Sequence, residues 1–378
     1  MGTSMIAASN PDERRIGAKL LSIDQYGTIR HWARSAFGEL LRPGDLVIAN
    51  DAATLPASLF GSHLPSRRTI EVRLANRPSL ALTQVRYFAA LVFGEGDFRT
   101  RTEDRGQPPA LAPGDHLVLG PLHATIVRLL NHPRLVLLRF DGSVREIWEG
   151  LARHGRPVQY SHIPLPLALW DTWTPIAGPP VAFEPPSAGF ALSWDTLASL
   201  TARGIQFATI THAAGLSSTG DPTLDALLPF DEPYRIPMST AQAIMQTQVQ
   251  YGRLIAIGTT VVRALEHAAS IDGGIAAGEG LATNKIRHPT RLRAVDAVVT
   301  GTHERGTSHY ELLRAFVPSE WLVRMDLEFD THGYRTHEYG DSIFVESAAP
   351  SFRRSPQLLL RSCESLGRNR QLALASQD

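Results

Sequence analysis

The sequence predicts an α/β protein with a largely parallel sheet and an all-β insert. Three observations predict this class. From about Pro179 onward, apolar strands alternate with helices, which is typical of βαβ units. Between about Leu55 and Phe140, short β-rich runs follow one another without a convincing helix, which is typical of a small barrel or sandwich. The length of 378 residues is enough for two or three domains.

Composition and charge exclude several types of protein. The chain is 43% apolar, and its 37 basic and 37 acidic side chains give zero net charge. This excludes a disordered chain and disfavours a protein that coats nucleic acid without specificity, although it leaves room for a local basic groove. No apolar run reaches the ~18 residues of a membrane span, and the first residues lack the pattern of a signal peptide. We therefore expect a soluble, cytoplasmic protein.

Cysteine and lysine are scarce. Cys363 is the single cysteine, which excludes an internal disulfide and a cysteine-based metal site. Only two of the 37 basic residues are lysines, Lys19 and Lys285, so anion recognition falls mostly to arginine.

The first half of the chain is predicted to be strands separated by turns. Before the insert, strands are expected over 19–24, 28–32 and 46–49, and the last of these ends at Asn50-Asp51. Pro-Gly-Asp turns are expected at 43–45 and 113–115. The strands expected inside the insert span 69–74, 82–92, 116–119, 124–130 and 135–140.

In the second half, helix signals alternate with apolar strands. Ser193 is a candidate N-cap for a helix over 194–203 with Trp194, Leu197 and Leu200 on its apolar face. Further helices are expected over 260–269 and 309–316, and strands over 205–211, 253–257, 294–299 and 342–346.

Three other segments have distinct signals. Ser239 and Gln242 predict a capping box for a helix that runs to about Gln250. Residues 213–237 predict a long loop of the kind that often serves as a lid or ligand loop. The Ser-, Pro- and Arg-rich stretch 347–378 predicts a mobile tail.

The densest chemical signal lies where an apolar strand meets a helix at Gly258-Thr259-Thr260. Free N–H groups and threonine hydroxyls at such a helix start can hold an anion or a ligand hydroxyl. The alternative is an ordinary helix start with a surface pair between Arg263 and Glu266. No GxGxxG or GxxxxGK[ST] motif is present, so nothing here specifies a dinucleotide or a nucleoside triphosphate.

Other candidate residues also follow predicted strands. The small residues from Ser187 to Gly189 allow close approach of a base or ribose, although a tight helix entry explains them as well. His303, near Thr300, is a candidate acid or base, although a lone histidine there is more often structural. Asp341 is a candidate turn carboxylate. A metal site of His332, His337 and Asp341 is disfavoured because the spacing is not that of a helical metal motif.

Taken in order, these segments resemble the S-adenosylmethionine:tRNA ribosyltransferase-isomerase family of queuosine biosynthesis. The resemblance runs from about Arg15 to Glu346. Its motifs are Arg42-Pro43-Gly44-Asp45, Asn50-Asp51, Leu55-Pro56-Ala57, Leu59-Phe60-Gly61, Pro186-Ser187-Ala188-Gly189, Gly258 to Glu266, Val295-Asp296, Thr300, His303, Thr307-Ser308 and Tyr339-Gly340-Asp341.

The resemblance implies a three-layer α/β/α domain formed by residues 1–55 and 146–346, with residues 56–145 as an inserted small β-barrel. It implies transfer and isomerisation of the ribosyl part of S-adenosylmethionine onto 7-aminomethyl-7-deazaguanine in a tRNA anticodon stem-loop, giving epoxyqueuosine. No metal or redox cofactor is implied. The matching positions suggest Asp51, His303 and Asp341 as catalytic residues. They suggest substrate-binding roles for Asn50, Ser187, Gly189, Gly258, Thr259, Thr260, Arg263, Thr300 and Tyr339.

Several positions depart from the family pattern. Asn50-Asp51-Ala52-Ala53 stands where the family has Asn-Asp-Thr-Arg, and Ser58 stands where it has a second arginine. From the family's His-x-Met-His-x-Glu stretch, Glu232 and Tyr234 survive. The departures leave two alternatives open. One is a paralogue that acts on another nucleoside or a related small molecule, and the other is an inactive RNA-binding protein.

Overall fold

A computed structural model of the chain describes residues 6–14, 17–272 and 274–349. Most of the predicted tail, from residue 350 to 378, lies outside the described residues. The strands are β1 (Ile6–Ala7), β2 (Lys19–Ile23), β3 (Ile29–Ala33), β4 (Leu46–Asn50), β5 (Ala53–Thr54), β6 (Ser58–His63), β7 (Arg68–Asn76), β8 (Tyr87–Phe93), β9 (His116–Leu119), β10 (Leu122–His132), β11 (Leu135–Phe140), β12 (Pro180–Ala182), β13 (Gln206–His212), β14 (Glu232–Ile236), β15 (Leu254–Ile257), β16 (Gly278–Ala282), β17 (Ala297–Gly301), β18 (Arg335–Thr336) and β19 (Ser342–Glu346). The helices are α1 (Val144–His154), α2 (Trp194–Ala202), α3 (Pro222–Asp225), α4 (Met238–Val249), α5 (Thr259–Asp272), α6 (Ser308–Leu313) and α7 (Ser319–His332).

Nine of these strands form one sheet in the order β16-β14-β13-β4-β15-β17-β19-β2-β3. The central strands β13, β4, β15 and β17 run parallel, as do β19 and β2. The pairings at both margins and between β17 and β19 are antiparallel. Parallel pairing therefore includes β13, β15 and β17 from the region with the predicted βαβ pattern, together with β4 and β2 from the segment before the insert.

Helices cover both faces of this sheet because successive strand residues point to opposite sides. On β4, Ile48 belongs to a core formed with α4, α5, α6 and α7. Its neighbours Val47 and Ala49 belong to a second core with Leu200 of α2 and the short 3₁₀ turns at Arg34–Leu40 and Ser187–Ala191. The predicted α/β class with layered helices is confirmed.

The insert is a barrel rather than a sandwich. Six strands close in the order β10-β11-β8-β7-β6-β9, and closure removes exposed sheet edges. Its interior is a separate apolar core that includes Leu59, Val72 and Phe88. The division at residues 55/56 and 145/146 stays a prediction, and the barrel strands lie within Ser58 to Phe140.

Several elements match the sequence expectations and others correct them. The strands His116–Leu119, Leu135–Phe140 and Ser342–Glu346 have the predicted bounds. The Ser193 hydroxyl accepts the N–H of Thr196 at 3.0 Å, which confirms that N-cap. Trp194, however, is 73% exposed and does not lie on the buried face with Leu200.

The capping box at Ser239 and Gln242 is wrong. The N-cap is Pro237, two residues before Ser239, the helix begins at Met238, and no side chain caps it. The proline ring fixes φ of Pro237 at −61°, a value compatible with the helix that follows, so Ser239 lies inside the first turn instead of capping it. The predicted loop 213–237 contains α3 and β14, so it is shorter than expected.

Helix α1 was not predicted, although its capping box of Ser143 and Glu146 is present in the sequence. Helix α7 was missed as well. None of the helices in the described part of the chain combines the length and the apolar character needed to cross a bilayer.

Candidate active site

A cavity of about 270 Å³ lies at the carboxyl edge of the parallel strands. In doubly wound sheets, ligands bind in the crevice outside this edge. Residues from six parts of the sequence line it, within the ranges Glu184 to Ala188, Ala214 to Ser217, Asp225 to Glu232, Gly258 to Arg263, Lys285 to Arg287 and Thr300 to Leu312. Seven of the predicted site residues are among them: Ser187, Gly258, Thr259, Thr260, Arg263, Thr300 and His303.

The Gly258 turn brings the start of α5 to the cavity. Strand β15 ends at Ile257, and Gly258 takes a φ of +99°, a left-handed conformation that favours glycine. The Gly258 N–H donates to the carbonyl oxygen of Val299 at 2.7 Å, so the turn is fixed to β17. Helix α5 then begins at Thr259, and its positive dipole end faces the cavity.

A buried chain of polar groups supports this helix start. The Arg263 guanidinium pairs with the Glu232 carboxylate, and His212 Nε2 lies 3.0 Å from the same carboxylate. The other His212 ring nitrogen lies 2.7 Å from the carbonyl oxygen of Thr260. Burial opposes ionisation of Glu232, but Arg263 and His212 hold its pKa below the usual value. Glu232 is therefore an anion in the lining of the cavity.

The Arg263 guanidinium donates its hydrogen bonds to acceptors of the protein itself. Besides Glu232, it donates to the carbonyl oxygens of Phe230, Ala282 and Asn284 at 3.0–3.2 Å. The alternative of a surface pair with Glu266 is wrong, because both side chains are buried. Glu266 instead accepts the backbone N–H groups of residues 293–295.

His303 also lines the cavity and has two polar neighbours. Its Nε2 lies 3.0 Å from the Thr300 hydroxyl, and its ring stacks on His309 with centroids 4.5 Å apart. Desolvation, with His309 and His337 nearby, lowers the pKa of His303 well below the usual histidine value. The imidazole is therefore neutral at physiological pH and able to accept a proton.

Glu184 is a site residue that the sequence analysis missed. The Tyr160 hydroxyl donates to its carboxylate, and Glu184 itself is 7% exposed. Burial, reinforced by the nearby Glu338, raises the pKa of Glu184 to about 7. The available signal was a lone acidic residue directly after the apolar run Val181 to Phe183 and before two prolines. Its environment makes it a group that can donate a proton near neutral pH.

The other five predicted site residues do not line the cavity. Asn50 donates to the carbonyl oxygen of His212 and accepts the His212 N–H, both at 2.9 Å. Asp51 accepts the hydroxyls of Thr209 and Thr211 at 3.0 and 2.7 Å. Both side chains therefore tie β4 to β13 next to the cavity.

Asp341, Gly189 and Tyr339 also have structural contacts. Asp341 accepts the backbone N–H groups of Lys19 and Arg335 at 2.6 and 2.9 Å. The Tyr339 ring stacks on Phe190 with centroids 5.6 Å apart. At Gly189, a Cβ atom would lie 2.8 Å from the Thr174 methyl group, so the close packing there requires glycine.

The disfavoured metal trio is not assembled. Among the described residues, His332 groups with His31 and Glu328, whereas His337 groups with His162 and Glu338. Asp341 belongs to neither group.

Comparison with known proteins decides the family. The profile of the family described as queuosine biosynthesis protein matches residues 3–345. The chain belongs to this family. The resemblance read from the sequence motifs is thereby confirmed.

Individual relatives have a more specific name. An S-adenosylmethionine:tRNA ribosyltransferase-isomerase of Pelobacter propionicus is 31% identical over 350 residues, which cover 90% of this chain and 96% of that protein. One from Gloeobacter violaceus is 31% identical over 353 residues, covering 89% and 92%. A solved S-adenosylmethionine tRNA ribosyltransferase from Thermotoga maritima is 21% identical, with a TM-score of 0.49 over 91% of this chain and 98% of that one.

Proposed function

We propose that the chain is an enzyme that transfers and isomerises the ribosyl part of S-adenosylmethionine onto 7-aminomethyl-7-deazaguanine in tRNA, giving epoxyqueuosine. The observation that carries this proposal is family membership across residues 3–345, combined with the position of the matching motifs. Gly258 to Thr260, Thr300 and His303 all line one cavity at the carboxyl edge of the sheet. S-adenosylmethionine is then a substrate, and adenine and methionine leave.

The start of α5 suits the polar parts of S-adenosylmethionine. Thr259, Thr260 and Ser187 offer hydroxyls to the cavity, and the free N–H groups of the first helical turn favour an anionic group. We assign the methionine carboxylate or the ribose hydroxyls to these donors. Arg263 acts behind them, by holding Glu232 and the loop 213–231 in place.

Two cavity groups suit the proton transfers. A departing adenine takes up a proton, and the sugar must lose protons for the isomerisation. The pKa of His303 is lowered and that of Glu184 is raised, so the first is a neutral base and the second a proton donor near pH 7. We assign His303 as the base and Glu184 as the acid for adenine.

Asp51 and Asp341 take supporting roles in this proposal. Their carboxylates accept hydrogen bonds from two threonine hydroxyls and two backbone N–H groups, respectively. With Asn50, Gly189 and Tyr339, they position the strands and turns around the cavity. They remain candidates from the family pattern, and their substitution tests the assignment.

A basic segment beside the cavity suits tRNA. Residues 284–293 contain Lys285, Arg287, Arg291 and Arg293 and no acidic residue. All four side chains are on exposed residues, and Lys285 and Arg287 line the cavity. Zero net charge is therefore compatible with a local surface for the anticodon stem-loop phosphates. A tRNA substrate also favours the cytoplasm as the site of action.

The decisive experiment is a reaction with tRNA that carries 7-aminomethyl-7-deazaguanine. We expect release of adenine and methionine from S-adenosylmethionine and a nucleoside with the mass of epoxyqueuosine, with no release when the tRNA is unmodified. Binding of S-adenosylmethionine without reaction would favour the paralogue. Binding of RNA alone would favour the inactive protein. Arg293→Ala, on an exposed residue of the basic segment that does not line the cavity, should weaken tRNA binding and reduce its salt dependence, while affinity for S-adenosylmethionine is retained.

A further inference from the structure

Three metal-binding side chains meet at the edge of the nine-stranded sheet. His31 lies on the edge strand β3, and Glu328 and His332 lie on α7. Residues four apart share one face of a helix, so Glu328 and His332 face β3 together. None of the three lines the cavity.

The separations of the donor atoms match those around one zinc ion. His31 Nε2 and His332 Nδ1 each lie 3.2 Å from Glu328 Oε2. Two ligand atoms at the usual bond lengths from a tetrahedral zinc are about 3.3 Å apart. The two histidine nitrogens lie within 4.8 Å of each other, and their rings stack with centroids 4.0 Å apart, so metal binding requires the rings to rotate. His332 Nδ1 also lies 3.1 Å from the Glu328 backbone carbonyl oxygen, a contact that a metal bond would replace.

A hydrogen-bonding contact with Tyr334 orients the His31 ring. The Nδ1 of His31 lies 2.9 Å from the hydroxyl of Tyr334, whose side chain is buried. When Nδ1–H donates to this hydroxyl, Nε2 keeps its lone pair for a metal, as in most histidine metal ligands. The neighbouring Lys19 ammonium donates to the carbonyl oxygens of residues 332 and 333, so it does not occupy Glu328.

We propose that His31, Glu328 and His332 form a zinc-type metal site that links β3 to α7. The three side chains are 33–45% exposed, which leaves an entry path and an open position for water. A metal held there stabilises the folded chain in proportion to its free concentration.

The proposal is tested with Co²⁺ as the probe on the full, tag-free chain. We expect one equivalent of Co²⁺ to give the visible absorption of a low-coordinate site, and Zn²⁺ to displace it. His332→Ala and Glu328→Gln should abolish the absorption. Tyr334→Phe keeps the ring but loses the hydroxyl and should weaken binding about 10-fold. His123→Ala, at an exposed histidine of the barrel, is the matched control and should bind normally.

Two results would overturn the proposal. One is absence of the absorption in the unaltered chain, together with no rise in melting temperature on adding Zn²⁺. The other is binding that survives His332→Ala and Glu328→Gln but is lost in His162→Ala, which would move the metal to the other histidine group. The Tyr334→Phe variant retains the packing of the ring. A 10-fold loss of metal affinity in this variant therefore reports the orientation of His31 and not a general destabilisation of the protein. Adenine release is not a readout here, so failure of the proposed reaction leaves this test intact.

Discussion

Arg263 on α5 forms a buried ion pair with Glu232, the first residue of β14, thirty-one positions earlier in the chain. The pair joins the helix that starts at the cavity to the strand that follows the cavity loop. Breaking a buried pair leaves a charge without compensation, which is strongly unfavourable. The pair therefore couples the shape of the cavity to the stability of the fold.

Arg263→Ala should destabilise the protein by about 3–5 kcal/mol, because Glu232 would remain buried and ionised. Urea unfolding followed by circular dichroism measures this. Arg287→Ala, a substitution on an exposed residue, should change stability by less than about 0.5 kcal/mol. Equal effects of the two substitutions would contradict the assigned role of Arg263. The double variant Arg263→Met/Glu232→Met removes both charges and should recover part of the loss.

Glu184 should make stability fall as pH rises from about 4.5 to 7. Its pKa is about 7 in the folded chain and 4.5 ordinarily, so in this window the folded state holds a proton that the unfolded state has lost. Stability falls with pH where the folded state binds more protons. At 1.36 kcal/mol per pH unit the contribution is about 3 kcal/mol. Chemical denaturation of the parent and of Glu184→Gln across this range measures it, and parallel curves would refute it.

His303 should support turnover below the usual histidine pKa. Since its pKa is lowered well below 6.5, acidification to pH 6 leaves it neutral. The acidic limb of kcat should therefore lie below pH 6, whereas an ordinary histidine base would already lose activity there. His303→Gln should lower kcat by about 10²–10⁴-fold with little change in the KM for S-adenosylmethionine. His123→Gln, far along the chain on the barrel, serves as the control.

The sequence predicted the class and the place of the site better than the roles of single residues. The short apolar strand at 46–49 and the strand-to-helix step at Gly258 are local patterns, and both appear in the structure as expected. The partner of Arg263 could not be read in this way. The i,i+3 spacing predicted an ion pair of Arg263 with Glu266. In the folded chain Arg263 pairs with Glu232 instead, and both carboxylates are buried. Long-range pairing overrides a local pattern when both groups are buried.

Glu184 is a second residue whose role could not be predicted from the sequence. A lone acidic residue before two prolines is an ordinary turn signal, and its raised pKa comes from burial and from Glu338, which the fold brings near. Conversely, Asp51 and Asp341 match the family pattern, yet their carboxylates are engaged in bonds between segments far apart in the sequence. A sequence pattern can identify residues whose side chains could take part in the reaction. The hydrogen-bond partners of those side chains can be identified only from the folded structure.

Substitution of Asp341 tests whether this carboxylate has a structural or a catalytic role. Its two oxygens accept backbone N–H groups from Lys19 and Arg335, so each oxygen has one donor to satisfy. Asp341→Asn replaces one acceptor with an amide N–H₂ group that faces a backbone donor, and a buried donor left without an acceptor costs about 1–3 kcal/mol. We expect that loss in urea unfolding, with kcat at saturating substrate close to the parent value at temperatures where the variant is folded. If Asp341 were the catalytic base, kcat would instead fall by orders of magnitude in a variant whose stability is nearly unchanged.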